Sequence, residues 1–339
     1  MRRNVYFGLV ALVAVVATVG TLLVHAAGRS DAAQGAKWSA DPSSSPWAPI
    51  DELTPLPIPS PSVSPTPAKL SVVYPTLRAP KSPPKVRVSG AHLFGWTLVT
   101  RDGSVLSPSA AANPAEAPGA SAFSKPTFTG SANMDSTRNT VESMIKGYIA
   151  ADWLRRTDAA GKTPTKNQLN QITLMIIDSN NQIAQEYYNL GGHDSVIKRM
   201  ISVCGLRDTV KIKHDSWSFT ELTPADAARY GECLADGRAA GPKWTTWLLH
   251  VMTQVRGGVK DQKSDTVEGG RWGIVDGLPK SMQGTVSMKN GWTLYVDGWH
   301  VNCLGIGPGW VLSVMVRTAS LQSGADACAS VARQLVVTH

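Results

Sequence analysis

"VESMIKGYIAADWL", residues 141–154, carries two patterns at once. Val141, Met144, Ile145, Tyr148 and Ile149 recur at three- and four-residue spacing, which predicts a helix with one apolar face turned to a core. Ser143 and Lys146 stand three apart on the same stretch, so their side chains fall on adjacent turns within reach of each other. The pair reads either as a serine nucleophile with its lysine base or as two polar residues at the edge of a core helix. Ser-x-x-Lys occurs twice more, and neither copy has this setting. Ser82–Lys85 lies in "SPPK", where proline removes a backbone donor and clashes with the preceding turn. Ser195–Lys198 lies in "DSVIKRMISV", an amphipathic helix with Asp194 as its cap and Lys198 on its polar face. Only Ser143–Lys146 joins helical spacing to apolar surroundings that would desolvate the lysine.

Two downstream stretches extend the pattern. "MIIDSNNQIAQ" (175–185) sets Ser179 and Asn181 two apart at a break between helical segments. On local grounds this is a helix stop and restart, since Ser and Asn favour caps and turns. "VSMKNGW" (286–292) sets Lys289 and Gly291 on a strand-like run, and Lys-x-Gly occurs nowhere else in the chain. By itself it reads as a surface lysine before a glycine bulge.

In order and in kind, the three sets resemble the motifs of the penicillin-binding proteins and class A β-lactamases: Ser-x-x-Lys, Ser-Asp-Asn and Lys-Thr-Gly. Here they stand as Ser143-Met-Ile-Lys146, Ser179-Asn-Asn181 and Lys289-Asn-Gly291. The flanks are similar too, and the likeness covers roughly residues 90 to 335. The resemblance implies a serine acyl-enzyme without cofactor or metal, acting on β-lactam or D-alanyl peptide amide bonds. Ser143 would attack the carbonyl and form an ester. Lys146, its pKa lowered by burial and neighbouring positive charge, would accept the serine proton. Ser179 would relay that proton to the leaving nitrogen, Asn181 would hold the substrate amide, and Lys289 would attract the substrate carboxylate. Asn290, Gly291 and Trp292 would complete the substrate-binding strand, the Ser143 and Trp292 N–H groups forming an oxyanion hole.

The sequence departs from the family pattern in three places. Asn180 replaces the middle aspartate, Asn290 replaces a threonine, and no Glu-x-x-Leu-Asn omega motif is present. The segment where that motif belongs, "GLRDTVKIKHDSWSFTELTP", is short; its acids are Asp208, Asp215 and Glu221, with Glu221 expected at a helix N-terminus. Acylation is therefore expected without efficient deacylation. Two alternatives stay open: a DD-carboxypeptidase-like enzyme with slow deacylation, and a non-catalytic envelope-binding or sensor module.

The order of elements points the same way. "AHLFGWTLVTRDGSVLS" predicts a strand, a turn at Asp102-Gly103 and a second strand, and residues 109–135 read mostly as loop. Helical patterns cover 139–157, 169–177, 182–192, 194–203, 223–237 and 244–255. A glycine-rich loop, short strands and a final helix at about 320–336 follow. The predicted fold is α+β, an antiparallel sheet built from both chain ends with an inserted helical subdomain.

The remaining composition concerns where the protein works. Residues 1–30 open with Arg2 and Arg3 and run uncharged from Val5 to Ala27. That run suits a spanning anchor of about 20 residues better than the shorter core of a cleaved signal. Residues 31–85 form a Pro/Ser-rich stalk, with 13 of the 22 prolines between Pro42 and Pro84. Residues 86–339 form the expected hydrolase domain, outside the cytoplasm and held at the membrane through residues 5–27. The four cysteines suggest two disulfides, with 204–233 and 303–328 the simplest of three pairings. The net charge of +8 comes without a basic helix or zinc-ligand spacing, so nucleic acid is not an expected partner. His193, His214, His250 and His300 show no metal-ligand spacing. The expected partner is a small-molecule or peptidoglycan-peptide substrate, with oligomeric state open.

Overall fold

The longer helices form where the periodicity asks for them, except that the first, expected over 139–157, starts only at Lys146, residues 139–140 being a strand and Glu142–Ile145 a 3₁₀ turn. The computed structural model describes residues 85–89, 91–100, 126–207, 210–263 and 269–336. The run 5–27, the proline-rich stretch up to residue 84, and the turn and second strand expected after Thr100 lie outside them. The helices are α1 (Lys146–Ala159), α2 (Lys166–Ile177), α3 (Asn181–Leu190), α4 (Asp194–Cys204), α5 (Pro224–Ala235), α6 (Pro242–Thr253), α7 (Lys280–Gln283) and α8 (Leu321–Val336). A capping box opens α2, Thr165 accepting from the Gln168 backbone while Gln168 accepts from that of Thr165. Thr223 caps α5, with Pro224 in its first turn. Asp194 does not cap α4 as expected. It is the first helical residue, His193 holds the cap position, and the Asp194 carboxylate accepts instead from the Tyr188 hydroxyl at 2.8 Å.

The strands are β1 (Ala91–Thr100), β2 (Thr127–Gly130), β3 (Asn139–Thr140), β4 (Lys211–Lys213), β5 (Ser216–Leu222), β6 (Ser287–Met288), β7 (Gly291–Tyr295), β8 (Gly298–Gly307) and β9 (Trp310–Thr318). The main sheet runs β2-β1-β9-β8-β6, with β7 also paired to β8, and every pairing is antiparallel. β1 lies next to β9 in this order, so the sheet is built from both chain ends and the helices are inserted between. The fold is α+β.

Strand alternation assigns the two faces of this sheet. Leu304 and Val311 face α5, where an added Cβ at Gly231 would strike both. Val301 and Cys303 face the other way, toward α8, where Gly324 meets Val301 and Cys328 bonds Cys303. The second disulfide, Cys204–Cys233, joins α4 to α5, so the simplest pairing is the one present. Among the described residues no helix is long and apolar enough to cross a membrane.

Helix α1 is central: Lys146 to Leu154 are all buried, which explains an apolar pattern that runs almost around the helix. Strand β3 and the short helix α7 were not anticipated, nor were two larger features. Residues 127–130 pair with β1 at the end of the expected loop. The segment "KIKHDSWSFTEL" folds as a β4–β5 hairpin, with β5 extending over β3 into a second, three-stranded sheet. Glu221 consequently sits on β5 opposite Thr140, not at a helix N-terminus.

Candidate active site

The chain enters α1 through a strained step. Glu142 has φ 50°, a left-handed conformation that costs a non-glycine residue about 1–3 kcal/mol and persists only where packing holds it. A 3₁₀ turn, Glu142–Ile145, follows and runs into α1 at Lys146. In a 3₁₀ turn residues three apart eclipse, which sets Ser143 directly before Lys146. Ser143 is only half-buried, whereas Lys146 is buried completely. Tyr230 fixes the turn by donating to the Met144 carbonyl at 3.1 Å.

A second strained residue lies opposite. Ser179, with φ 57°, joins α2 to α3 and is fully buried. The Lys146 ammonium donates to the Ser179 carbonyl, to the Ser179 hydroxyl at 3.0 Å and to Asn181 Oδ1 at 2.5 Å. Lys289, equally buried at the end of β6, donates to the same Ser179 hydroxyl at 2.9 Å and to the Asn290 carbonyl at 3.2 Å. One hydroxyl thus bridges two lysine nitrogens. It can accept from both and still donate its own proton, so the three side chains form a continuous path for a proton.

The last part of the site is β7. An added Cβ at Gly291 would lie 2.1 Å from the Val141 carbonyl and 2.8 Å from the Met144 nitrogen. Only glycine lets the start of this strand close on the turn that carries Ser143. Trp292, half-buried, follows at once and packs edge-on against Trp272 with ring centres 5.1 Å apart.

The predicted residues therefore converge: Ser143, Lys146, Ser179, Asn181, Lys289, Gly291 and Trp292 arrive from four separate elements. The two substituted positions do other work. Asn180 caps α3, its side chain accepting from the Ile183 N–H at 2.9 Å. Asn290 is buried, and its amide donates to the carbonyls of Gly270 and Trp272 at 2.8 and 2.9 Å, supporting the strand from behind.

Two further groups at the site have no place in the sequence motifs. Trp217, on β5, lies with its ring centre 5.1 Å from the Lys146 nitrogen and donates its indole N–H to Gln185 at 3.0 Å. It is itself buried. An indole thus lies over the lysine from the short segment between α4 and α5. Of that segment's acids, Asp215 pairs with His193 and His214 in the hairpin turn, and Asp208 lies outside the described residues. Glu142 is the other omission. Its carboxylate accepts from the Tyr295 hydroxyl at 2.6 Å, and burial raises its pKa despite that bond.

No protein-family model matches the chain, and no curated protein is similar to it in sequence. Solved structures do match. A β-lactamase from Xanthomonas campestris pv. campestris shares 16% identity at a TM-score of 0.50, over 73% of this chain and 93% of that one. The TLA-3 extended-spectrum β-lactamase shares 15% at a TM-score of 0.50, over 73% and 95%. At these identities the likeness is one of fold, and this chain has the β-lactamase-like fold.

Proposed function

We propose that this protein is an exported serine acyl-hydrolase, acylated at Ser143 by β-lactam or D-alanyl peptide amides and slow to release the acyl group. The observation that carries this reading is the Ser179 hydroxyl shared by the buried Lys146 and Lys289, one turn from a solvent-accessible serine.

In the proposed reaction Lys146, in its neutral form, takes the proton of Ser143 as the serine oxygen bonds to the substrate carbonyl carbon. Negative charge then develops on the carbonyl oxygen, where the N–H groups of Ser143 and Trp292 would receive it; each such donor is worth about 3–4 kcal/mol. The proton passes from Lys146 through Ser179 to the amide nitrogen as the C–N bond breaks. The Lys289 charge attracts the substrate carboxylate, and Asn181 holds the substrate amide. Hydrolysis of the ester needs an activated water. Trp217 occupies the space over Lys146 with an apolar ring, which disfavours a water there. This supports a persistent acyl-enzyme, the behaviour of a penicillin-binding peptidase more than of a fast lactamase.

The two disulfides are consistent with an extracytoplasmic location. We extend the proposal to residues 5–27 as a membrane anchor and residues 31–85 as a stalk.

The test is the intact mass of the full chain after incubation with benzylpenicillin. A penicilloyl adduct that persists for minutes and is absent in Ser143→Ala is the expected result. Rapid antibiotic turnover without adduct would replace slow release with an efficient lactamase. Neither adduct nor turnover, with D-alanyl peptides also untouched, would leave a binding or sensor module on this fold.

A further inference from the structure

Four side chains that this chemistry does not use meet where the β4–β5 turn touches the α3–α4 corner. His193 and Asp194 come from the corner, His214 and Asp215 from the turn. The two ring nitrogens of His214 lie 2.8 Å from Asp194 Oδ2 and 3.0 Å from Asp215 Oδ2. His193 Nδ1 lies 3.0 Å from Asp215 Oδ1. One donor atom each from Asp194, His214 and Asp215 falls within 4.8 Å of the others. We propose that these four residues form a zinc site that clamps the β4–β5 hairpin to the α3–α4 corner.

The donor set suits the metal. Zinc takes imidazole nitrogen and carboxylate oxygen at about 2.0–2.2 Å in a tetrahedron, and two of each complete one. Asp194, His214 and Asp215 already bring one donor atom each to within 4.8 Å of the others, and His193, in contact with Asp215, would turn in to supply the fourth. With one His214 nitrogen on the metal, the other can donate to a carboxylate oxygen, as second-sphere carboxylates do for metal-bound histidines. Asp194 is already oriented, because its Oδ1 accepts from the Tyr188 hydroxyl at 2.8 Å and the Asp215 N–H at 3.2 Å. Competing soft ligands are absent, since all four cysteines are in disulfides. The sequence gives no hint of the site because it is assembled from two dipeptides about 20 positions apart, each too short for a ligand motif.

The clamp has a consequence for the neighbouring site. Trp217 follows Asp215 by two residues, and its indole N–H is held by Gln185 on α3. Zinc would fix the hairpin at a second point and so hold the indole over Lys146. The binding claim itself does not rest on the acyl-enzyme reading.

The full chain, stripped with a chelator and exchanged into metal-free buffer, should be titrated with zinc sulfate against a chromophoric zinc chelator. One equivalent bound with Kd below about 1 μM is expected for a partly exposed four-ligand site. Zinc in hundredfold excess over Kd should raise the thermal midpoint by about 5 °C. His214→Ala and Asp215→Asn should each weaken binding at least tenfold, whereas His250→Ala, exposed on α6, should not. Both hairpin changes are at exposed positions, and the metal-free midpoints report whether they fold. Absence of stoichiometric binding at 10 μM zinc, or binding indifferent to both hairpin variants, overturns the site and leaves three His–Asp ion pairs.

Discussion

The Ser179 hydroxyl is the smallest group on which both stability and the proposed chemistry depend. It accepts from two buried lysine nitrogens, so its loss takes one acceptor from each, and a hydrogen bond to a charged group is worth about 1.5–3 kcal/mol. Ser179→Ala should therefore lower the unfolding free energy and also slow acylation by about 10²–10⁴-fold, the range of a lost proton-transfer group. Stopped-flow acylation together with denaturant unfolding separates the two effects, and a stable variant with unchanged acylation would remove Ser179 from the proton path. Glu142 makes a second prediction, in pH. Burial raises its carboxyl above the ordinary value of 4.5, so the folded protein holds a proton that the unfolded chain has released. Stability must then fall as pH rises from about 4.5 through the raised folded value. Glu142→Gln, whose amide oxygen can still accept from Tyr295, should match the parent near pH 4 and be more stable at pH 7. Thermal midpoints across that range test it; parallel curves would mean that folding leaves the Glu142 carboxyl at its unfolded pKa.

At the scale of elements, legibility followed burial pattern. Helices α1 to α6 and α8 were readable because an amphipathic period survives in sequence however the helix is packed. The site motifs were readable because fixed spacing holds Ser143 before Lys146 and Lys289 before Gly291. The β4–β5 hairpin was not. Its first strand is three residues long and contains Lys211 and Lys213, and the burial of "SWSFTEL" does not alternate cleanly. Nothing local marks Trp217 as the residue that covers Lys146, because its place depends on how β5 pairs with β3, across 80 positions of chain. Glu142 was missed for a related reason: the helical period counts it as a polar flank, whereas the structure sets it in a left-handed turn against Tyr295. The hairpin also carries a kinetic prediction. Trp217→Ala should open space for water above the ester and shorten the life of the acyl-enzyme by about tenfold, while losing about 3–5 kcal/mol of stability. Trp217→Phe keeps most of the ring and should stay near the parent. The decay of the penicilloyl mass measures both, and equal lifetimes in all three would discharge Trp217 from any part in slow release.

At the scale of the whole molecule, topology decides where the folding unit begins. β1 lies between β2 and β9 in the sheet, so a strand from the front of the domain is an interior strand of a sheet whose other long members come from its end. The segment before β1 is tied to the same end. Arg87 N–H donates to Gln334 on α8 at 3.1 Å, and the Gln334 amide returns a bond to the Arg87 carbonyl at 2.8 Å. The proline-rich stretch stops at Pro84, just short of these contacts, and such a composition buries too little apolar surface to add to a core. A chain of residues 86–339 should therefore unfold in one cooperative transition, with a midpoint within a few degrees of the full chain and the same acylation by penicillin. A chain of residues 101–339 would lack β1. It would expose the β9 edge and the apolar positions that Trp96, Leu98 and Val99 cover, so it should fail to accumulate as a folded monomer. Calorimetry and gel filtration of the two truncations decide the matter. A cooperative transition in the shorter chain would mean that the sheet does not need its front strand, and a lost transition in the longer one would mean that the stalk belongs to the fold.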